Sequence, residues 1–347
     1  MKIGIVTVYH SYNCGSYLQA YAMQQTLKEF GCDPYFLKNK RTIESRLWFR
    51  LLQAVKYTAT GKRKRAAHLL RVYRNFKQAQ KRMAVVPDYR GMDAAVYGSD
   101  TIWNFDDSYF YDSRQRFLGA DYQGKKITYA ISLGETEAKT LLADDKTCDA
   151  VRQLDHISVR DGETEVFVKQ CCGAEQPVER VIDPTMLLER KDYETQLLPV
   201  DQTGYILFYY FGTIPENIKK QVRAFADKTG RKIVVFGEDR GWADVYVSNE
   251  PFLMLSYYQK ADFVITNTFH GNVFCLIFNK QFISFGSHKQ KVWDLLERFG
   301  LSERLAEEDS DFSALFDRQI CHDTTNETLA VLRDQSRQYL HKAIFSE

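Results

Sequence analysis

The segment VITNTFHGNVF (264–274) places His270 where one apolar run stops and a second is about to begin. In parallel sheets, ligands meet the carboxyl ends of strands and the amino ends of the following helices, where unpaired backbone N–H groups favour an anion. An imidazole at such a junction can act as a general acid, and Gly271 would let a ligand approach closely. The alternative is a histidine that packs at the helix N-terminus and is satisfied by backbone groups.

The elements that must position this histidine follow a repeating order of strand, loop and helix. A β-rich run, Lys2 to Val8, is followed by turn residues and then by apolar residues at helical spacing. The segment DHISVRDGETEVFVKQCCG (155–173) repeats that order. After a break, GYILFYYFGT (204–213) predicts a strand and residues Glu216 to Thr229 predict a helix. This alternation predicts parallel sheets with helices on both faces.

The break lies at VIDPTMLL (181–188), where Pro184 restricts Asp183 to extended geometry. We place the domain boundary near 185–203 and predict two α/β domains, residues 1–190 and 200–315, that face a cleft. Residues 316–347 have helical spacing without a partner strand, and we expect them to pack back onto the first domain.

The composition limits the classes of protein to which the chain can belong. The chain has 347 residues, of which 44% are hydrophobic, and its formal net charge is only +2. A near-neutral chain gives no global electrostatic reason to bind nucleic acid. The seven cysteines fit no metal template, and neither a signal-peptide cleavage site nor an apolar stretch of membrane-spanning length is apparent. We therefore expect a soluble cytoplasmic protein that has no metal site.

One segment departs from this balance, because residues 38–82 contain fifteen Lys and Arg residues and a single acid, Glu44. Apolar residues are interleaved with these charges, which predicts a basic amphipathic helical hairpin inserted in the first domain at about 40–85. Its surface could simply be solvated, or it could face an anionic membrane or glycolipid acceptor at the inner face of the membrane. Nucleic acid is the third interpretation, but no recognisable binding module supports it, and we expect no nucleic-acid partner.

Several motifs, in their order and spacing, resemble those of the polysaccharide pyruvyl transferase family. They are GIVTVYHSYNCGSYLQAYA at the start, YGSDTIWN (97–104), YAISLG (129–134), SVRD (158–161), DPTMLL (183–188), VITNTFHGNVFCLIFNKQF (264–282) and LLERFGLSER (295–304). The resemblance implies a fold of two Rossmann-like domains of the GT-B type. It also implies an enzyme that moves the enolpyruvyl unit of phosphoenolpyruvate onto a sugar of a surface polysaccharide or its precursor. The product is a pyruvate ketal, and phosphoenolpyruvate is the donor substrate rather than a bound cofactor.

That chemistry assigns roles to specific residues. The C3 atom of phosphoenolpyruvate must be protonated to make C2 electrophilic, and His270 is the candidate acid. A sugar hydroxyl then attacks C2, and Asp100 in GSD is the candidate base; its alternative role is the N-cap of a short helix.

The phosphate and carboxylate of the donor also require cations or helix N-termini. Arg160, which follows a strand in SVRD, could bind either group bidentately, or could instead pair with Asp161 or Glu163. Asn13 and Gly15 lie in the first strand-to-helix loop and could either contact a ligand or form the turn.

One position departs from many family members, which have an arginine where this chain has Thr268. A branch of the family has Ser or Thr there, so the site can remain active if another cation replaces the arginine. Lys289 and Lys291 in GSHKQKVW (286–293) are the candidates, with His288 as a further one. Solvent exposure is the alternative for both lysines.

Two other classes of function stay open. A glycosyltransferase could bind a nucleotide sugar in the same cleft, in which case Glu238 could hold a ribose; the alternative for Glu238 is a solvated acid in a loop. A non-catalytic protein could bind glycans or membrane on the same scaffold, and Thr268 keeps that interpretation open. The expected partners are phosphoenolpyruvate, a sugar or lipid-linked oligosaccharide acceptor, and an anionic membrane that contacts residues 38–82.

Overall fold

The computed structural model describes residues 1–39, 47–237, 241–286 and 289–346, with the backbone alone at 47–49. Glu238, His288 and the first part of the basic segment, residues 40–46, therefore lie outside the described residues.

The first half of the chain forms a five-stranded parallel sheet. Its strands, in the spatial order β3-β2-β1-β4-β5, are β1 (Lys2–Val6), β2 (Asp33–Leu37), β3 (Val85–Val86), β4 (Ala94–Tyr97) and β5 (Lys125–Thr128). The helices are α1 (Cys14–Glu29), α2 (Leu47–Ala59), α3 (Arg63–Gln80), α4 (Ser108–Tyr111), α5 (Arg114–Phe117), α6 (Ala138–Leu142), α7 (Asp145–Arg152) and α8 (Gly162–Cys172). A short parallel pair follows, β6 (Ser158–Val159) with β7 (Glu179–Arg180), and then a 3₁₀ turn (Pro184–Met186) and α9 (Arg190–Glu194).

The second half repeats this arrangement in a second parallel sheet. Its strands, in the spatial order β10-β9-β8-β11-β12, are β8 (Ile206–Tyr209), β9 (Ile233–Phe236), β10 (Val245–Val247), β11 (Phe263–Thr266) and β12 (Gln281–Ser284). The helices are α10 (Glu216–Thr229), α11 (Pro251–Lys260), α12 (Phe269–Ile277), α13 (Gln290–Arg298), α14 (Phe312–Asp317) and α15 (His322–Phe345), with a 3₁₀ turn at Ser302–Arg304.

The predicted fold class is confirmed, because both sheets are parallel and the strand order is that of a Rossmann-like unit in each half. The strands are fully buried in the middle of each sheet, as the burial of Ile206–Tyr209 illustrates, and such strands read as continuous apolar runs. The helix α10 has the predicted bounds, and Gly230 ends it in the left-handed conformation with a φ of 67°.

The predicted hairpin forms from α2 and α3, which lie between β2 and β3 as an insertion in the first half. Its inner face is buried at Ala66, Val72, Phe76 and Ala79. None of the helices in the described part of the chain is long and apolar enough to cross a bilayer.

The two halves share a continuous apolar core. The aromatic ring of Phe252 from α11 packs edge-on against two rings of α1, with centroid distances of 6.0 Å to Tyr17 and 5.1 Å to Tyr21. Each sheet has a further apolar cluster on its outer face. The cleft is therefore formed by two halves that are packed together at its base.

The last helix, α15, begins on the second half and ends on the first. At its start, His322 lies 3.0 Å from the side chain of Gln281 in β12. Further along, Ser336 accepts the N–H of Ile182 at 3.1 Å, and the Tyr339 hydroxyl donates to the carbonyl of Thr128 at 3.0 Å.

Candidate active site

A cleft of about 490 Å³ lies at the carboxyl ends of both sheets. The first half contributes loops that follow β1, β4, β5 and β6, and the second half contributes segments after β8, β11 and β12. Seven of the residues singled out from the sequence are among those that line it: Asn13, Asp100, Arg160, Thr268, His270, Lys289 and Lys291.

His270 lies in the first turn of α12, immediately after β11, where the sequence placed it. Thr268 is the N-cap, and its hydroxyl accepts the N–H of Gly271 at 2.9 Å. The Nε2 atom of His270 faces the carboxylate of Asp183 at 3.6 Å, and this atom has no hydrogen-bond partner among the described residues. The imidazole is thus buried at the cleft wall, with a carboxylate beside one ring nitrogen.

Gly15 and Gly271 are the two glycines that were predicted to bind substrate. At both positions, the missing side chain leaves room for other side chains of the protein. A Cβ atom at Gly15 would lie 2.3 Å from Nδ1 of His270, so the missing side chain makes room for the imidazole. A Cβ atom at Gly271 would lie 2.1 Å from the hydroxyl oxygen of Thr266 and 2.5 Å from that of Thr268. The expectation that Gly271 gives a ligand close access is therefore wrong, because the room that it leaves is occupied by these two threonines.

Asp183 is a fully buried carboxylate beside His270 and Arg160, and its place in the sequence did not indicate this role. Its Oδ1 atom accepts from the N–H and the hydroxyl of Thr185, at 3.0 and 2.7 Å. Its Oδ2 atom accepts from Ser99 at 3.1 Å and from Arg160 at 3.0 Å. Burial alone raises the pKa of Asp183, but the charges of His270 and Arg160 and the hydrogen bond from Thr185 together hold it below its usual range.

Arg160 is buried beside this carboxylate and pairs with Asp183, not with Asp161 or Glu163. Asp161 instead caps α8 and accepts the N–H of Thr164 at 2.9 Å. The guanidinium of Arg160 lies over the ring of Phe269, 4.4 Å from its centroid. Its Nε atom has no hydrogen-bond partner among the described residues, so Arg160 keeps a donor beyond the one that Asp183 occupies.

Asp100 follows β4 in a left-handed conformation, with a φ of 66°. Its Oδ2 atom accepts from the Ser16 hydroxyl at 2.5 Å, and its Oδ1 atom accepts from the N–H of Thr101 at 2.9 Å. Residues 101–107 are not helical, and the next helix, α4, is capped by Asp107. Asp100 is therefore not the cap of a helix, and its carboxylate lines the cleft.

Asn13 forms the turn that begins α1. Its Oδ1 atom accepts the N–H groups of Gly15 and Ser16 at 2.9 and 3.4 Å, as an N-cap does. The same residue also lines the cleft.

Lys289 and Lys291 both reach the cleft and are half-buried rather than fully exposed. The Nζ atom of Lys289 donates to the carbonyl of Asn267 at 2.8 Å. Burial lowers the pKa of Lys289, while the negative charge of Glu135 acts in the opposite direction. Burial also lowers the pKa of Lys291, and the nearby Arg160 lowers it further, while Asp100 and Glu135 act in the opposite direction. A bound anion would relieve this repulsion between cations.

Other cleft residues were not identified from the sequence. His10 lies in the loop after β1, and its Nε2 atom is 2.9 Å from the hydroxyl of Tyr109. The rule that identified His270, a polar residue just after a strand, applies equally to His10. Glu135 lines the cleft as well. Its position in the loop that follows the predicted strand of KKITYAISLGE (125–135) could have identified it. In the part of the chain that the structure describes, no group of three or more His, Cys, Asp or Glu side chains is placed to hold a metal ion.

Comparisons with known proteins identify a family and a fold. The model of the family described as polysaccharide pyruvyl transferase matches residues 13–289 of the chain. No curated protein sequence matches it.

Solved structures with a similar fold share little sequence with the chain. An alpha-glucosyltransferase in complex with UDP has a TM-score of 0.51 and 11% identity, with 99% of this chain and 95% of that chain covered. E. coli heptosyltransferase WaaC with ADP has a TM-score of 0.43 and 14% identity, with 96% and 100% covered. The glycosyltransferase SnogD from Streptomyces nogalater has a TM-score of 0.45 and 12% identity, with 99% and 98% covered. The likeness to the alpha-glucosyltransferase supports a GT-B-like fold.

Proposed function

Since the chain belongs to the polysaccharide pyruvyl transferase family, we propose that it transfers the enolpyruvyl group of phosphoenolpyruvate to a sugar and forms a pyruvate ketal. The acceptor is a sugar of a cell-surface polysaccharide or of its lipid-linked precursor. Phosphoenolpyruvate is consumed as the donor, and the proposed reaction needs no further cofactor.

One observation carries this proposal: three cations, a histidine and a carboxylate converge on a single cleft. Arg160, Lys289 and Lys291 supply positive charge, and His270 and Asp100 supply groups that can exchange protons. Phosphoenolpyruvate carries a phosphate and a carboxylate on a three-carbon unit, so its recognition needs several cations close together.

The lysines take the place of the arginine that many family members have at the position of Thr268. Thr268 cannot supply that charge, and its hydroxyl is engaged as the cap of α12. Lys289 and Lys291 reach the same cleft from the segment between β12 and α13. We assign the phosphate and carboxylate of the donor to these lysines and to Arg160, with the first N–H groups of α12 nearby.

The proton transfers follow from the two titratable groups. The imidazolium of His270 donates its proton to C3, the C2–C3 double bond supplies the electron pair, and C2 becomes electrophilic. A sugar hydroxyl adds to C2 and gives its proton to the Asp100 carboxylate. A second hydroxyl of the same sugar then replaces the phosphate at C2 and gives its proton to the neutral His270, while the proton held by Asp100 leaves with the phosphate. The net reaction converts phosphoenolpyruvate and a sugar diol into the ketal and inorganic phosphate.

The roles of the neighbouring groups are to hold this geometry. The Asp183 carboxylate, 3.6 Å from Nε2 of His270, stabilises the charge of the imidazolium. The Ser16 hydroxyl fixes the orientation of the Asp100 carboxylate. Residues held in this way need little rearrangement before reaction, which lowers the cost of reaching the transition state.

The experiment that tests the reaction is incubation of the purified protein with phosphoenolpyruvate and candidate oligosaccharides in deuterated water. We expect phosphate release in step with formation of a ketal, and a deuterium atom in its methyl group, because a proton exchangeable with solvent is delivered to C3. Phosphate release without a ketal, or no turnover on any acceptor of the polysaccharide that the host cell makes, would contradict the proposal.

A second candidate is a glycosyltransferase that uses a nucleotide sugar, and the likeness to an alpha-glucosyltransferase that was solved with UDP motivates it. A ligand that binds only the folded state raises the melting temperature. We expect phosphoenolpyruvate to raise it and UDP or GDP sugars not to do so. The reverse result would favour the glycosyltransferase, and no shift with either would favour a non-catalytic glycan-binding protein.

A further inference from the structure

The hairpin of α2 and α3 exposes apolar side chains that the fold does not cover. On α2, Leu52 is 63% exposed, Val55 is 67% exposed and Leu51 is 37% exposed. These three positions are spaced i, i+1 and i+4, so they share one face of the helix. Contiguous exposed apolar faces on a protein usually mark an interaction site.

The same hairpin carries a dense positive charge. Residues 50–82 contain eleven Lys and Arg residues and no Asp or Glu. Charges of the hairpin are exposed on both helices, including Lys56 on α2 and Arg71, Arg74 and Lys77 on α3. A helical surface that combines exposed leucine and valine with lysine and arginine is suited to the boundary between anionic headgroups and acyl chains.

The hairpin lies beside the candidate active site. The guanidinium of Arg50 in α2 lies 3.5 Å from the centroid of the Tyr12 ring, and Phe76 of α3 packs edge-on against that ring at 5.8 Å. Tyr12 precedes Asn13, which lines the cleft. A second cavity, bordered by Lys38, Lys77 and Lys81, shares His10 with the cleft.

We propose that the α2–α3 hairpin docks onto an anionic lipid bilayer and so holds the cleft near the membrane surface. A second copy of this chain is a poor occupant of the surface, because a two-fold contact would bring like charges together. Nucleic acid offers phosphates for the lysines and arginines, but its backbone offers no counterpart for the exposed Leu52 and Val55. A bilayer offers both anionic headgroups and an apolar interior.

For the proposed function, this docking favours an acceptor that is itself held in the membrane, such as a lipid-linked oligosaccharide. That consequence rests on the proposed function, whereas docking itself does not. The two can therefore fail separately: vesicle binding is measured without donor or acceptor, and turnover is measured on a soluble oligosaccharide without vesicles.

The test is sedimentation of the full-length protein with vesicles of phosphatidylcholine alone and of an equal mixture of phosphatidylcholine and phosphatidylglycerol. We expect binding to the mixed vesicles only, weakening as added salt screens the charges. Arg71→Glu with Arg74→Glu should lower the partition coefficient at least about fivefold for each cation lost, since each contributes about 1 kcal/mol near an anionic surface. Leu52→Ser with Val55→Ser should also lower it, because these side chains would no longer enter the acyl region.

Matched control variants lie away from the hairpin. Val331→Ser removes a side chain of α15 that is 57% exposed, and Lys28→Glu with Lys146→Glu reverses two exposed charges of the same half. Both controls should bind vesicles as the wild type does. All four variants should melt near the wild-type temperature and turn over a soluble acceptor at the wild-type rate, because none of the changed residues lines the cleft.

Several outcomes would overturn docking. They are equal sedimentation with neutral and mixed vesicles, wild-type binding by both hairpin variants, or an equal loss of binding in the controls. Sedimentation without vesicles would identify a second copy of the chain as the occupant. Binding to duplex DNA without binding to mixed vesicles would identify nucleic acid.

Discussion

The Nε2 atom of His270 and the Oδ2 atom of Asp183 lie 3.6 Å apart, and this same oxygen accepts from Arg160 at 3.0 Å. One buried carboxylate oxygen therefore faces both His270, the candidate acid, and Arg160, a candidate for binding the anionic groups of the donor. Asp183 comes from the segment between the two sheets, whereas His270 belongs to the second half and Arg160 to the first. A change at Asp183 should consequently affect proton transfer, anion binding and stability together.

Asp183→Asn should destabilise the protein and make its free energy of unfolding depend less on pH in the acid range. The pKa of Asp183 is lower in the folded state than its ordinary value of about 3.9. The folded state thus holds the charged form, and the resulting stability is present in full above that ordinary value and is lost as pH falls through the folded pKa. At neutral pH the substitution leaves Arg160 buried without its counter-charge, at a cost of about 3–5 kcal/mol.

Urea unfolding from neutral pH down to about pH 2 measures both effects, because the loss begins only below the ordinary carboxyl pKa of about 3.9. Asp149→Asn is the control, because its partner Arg152 is exposed and such pairs contribute about 0–1 kcal/mol. If Asp183→Asn unfolds with the wild-type free energy at neutral pH, the buried pair does not stabilise the fold as described.

His270→Gln should lower turnover by about 10²–10⁴, the usual contribution of a positioned proton donor. Affinity for phosphoenolpyruvate should change much less, because a proton donor acts mainly in the transition state. Steady-state kinetics and calorimetric titration measure the two quantities, and circular dichroism checks the fold. A folded His270→Gln protein with full activity would show that the imidazole is structural.

Gly15→Ala should disable the site without touching a residue that exchanges protons. The new Cβ atom would lie 2.3 Å from Nδ1 of His270, so the imidazole must move. A displacement of about 1 Å at a reacting group can lower the rate about 10²-fold. Gly162→Ala is the matched control, since that helical glycine has its nearest atom 4.0 Å away from a new Cβ. Turnover is measured for both variants, and melting temperatures check that both fold. Equal turnover rates for Gly15→Ala and Gly162→Ala would mean that the imidazole tolerates the shift.

Affinity for phosphoenolpyruvate should fall as pH rises, through loss of the proton on Lys291. Burial and then Arg160 lower the pKa of Lys291 in the free protein, and a bound anion favours the charged form, so the proton is held more tightly in the complex. Binding is therefore strongest below the lowered pKa and weakens above it. In Lys291→Arg, whose guanidinium stays charged, calorimetric titration should show a weaker dependence on pH. An identical decline in that variant would place the titrating group elsewhere.

The fold was predictable because its elements follow local rules. Helix α10 has the predicted bounds of Glu216 and Thr229, and the buried strands appear as short apolar runs. The rule that carboxyl ends of parallel strands share one edge brought Asp100, Arg160 and His270 to one cleft. What could not be predicted depends on contacts between distant parts of the chain. Nothing near VIDP shows that Asp183 receives Arg160, and nothing near Gly15 shows that it makes room for an imidazole more than 250 residues away.

The path of helix α15 limits how the cleft can open. Because this helix begins beside β12 and ends on the first half, the backbone joins the halves twice, once before β8 and once along α15. Two tethers leave a hinge about the line between them as the easiest relative motion and oppose swivelling about other axes. We expect a single proteolytic cut near Arg318 to leave α15 bound to the first half but to widen the range of cleft opening, which small-angle scattering would detect as a larger radius of gyration. An unchanged radius in the cut protein would mean that the shared core around Phe252 alone sets the angle between the halves.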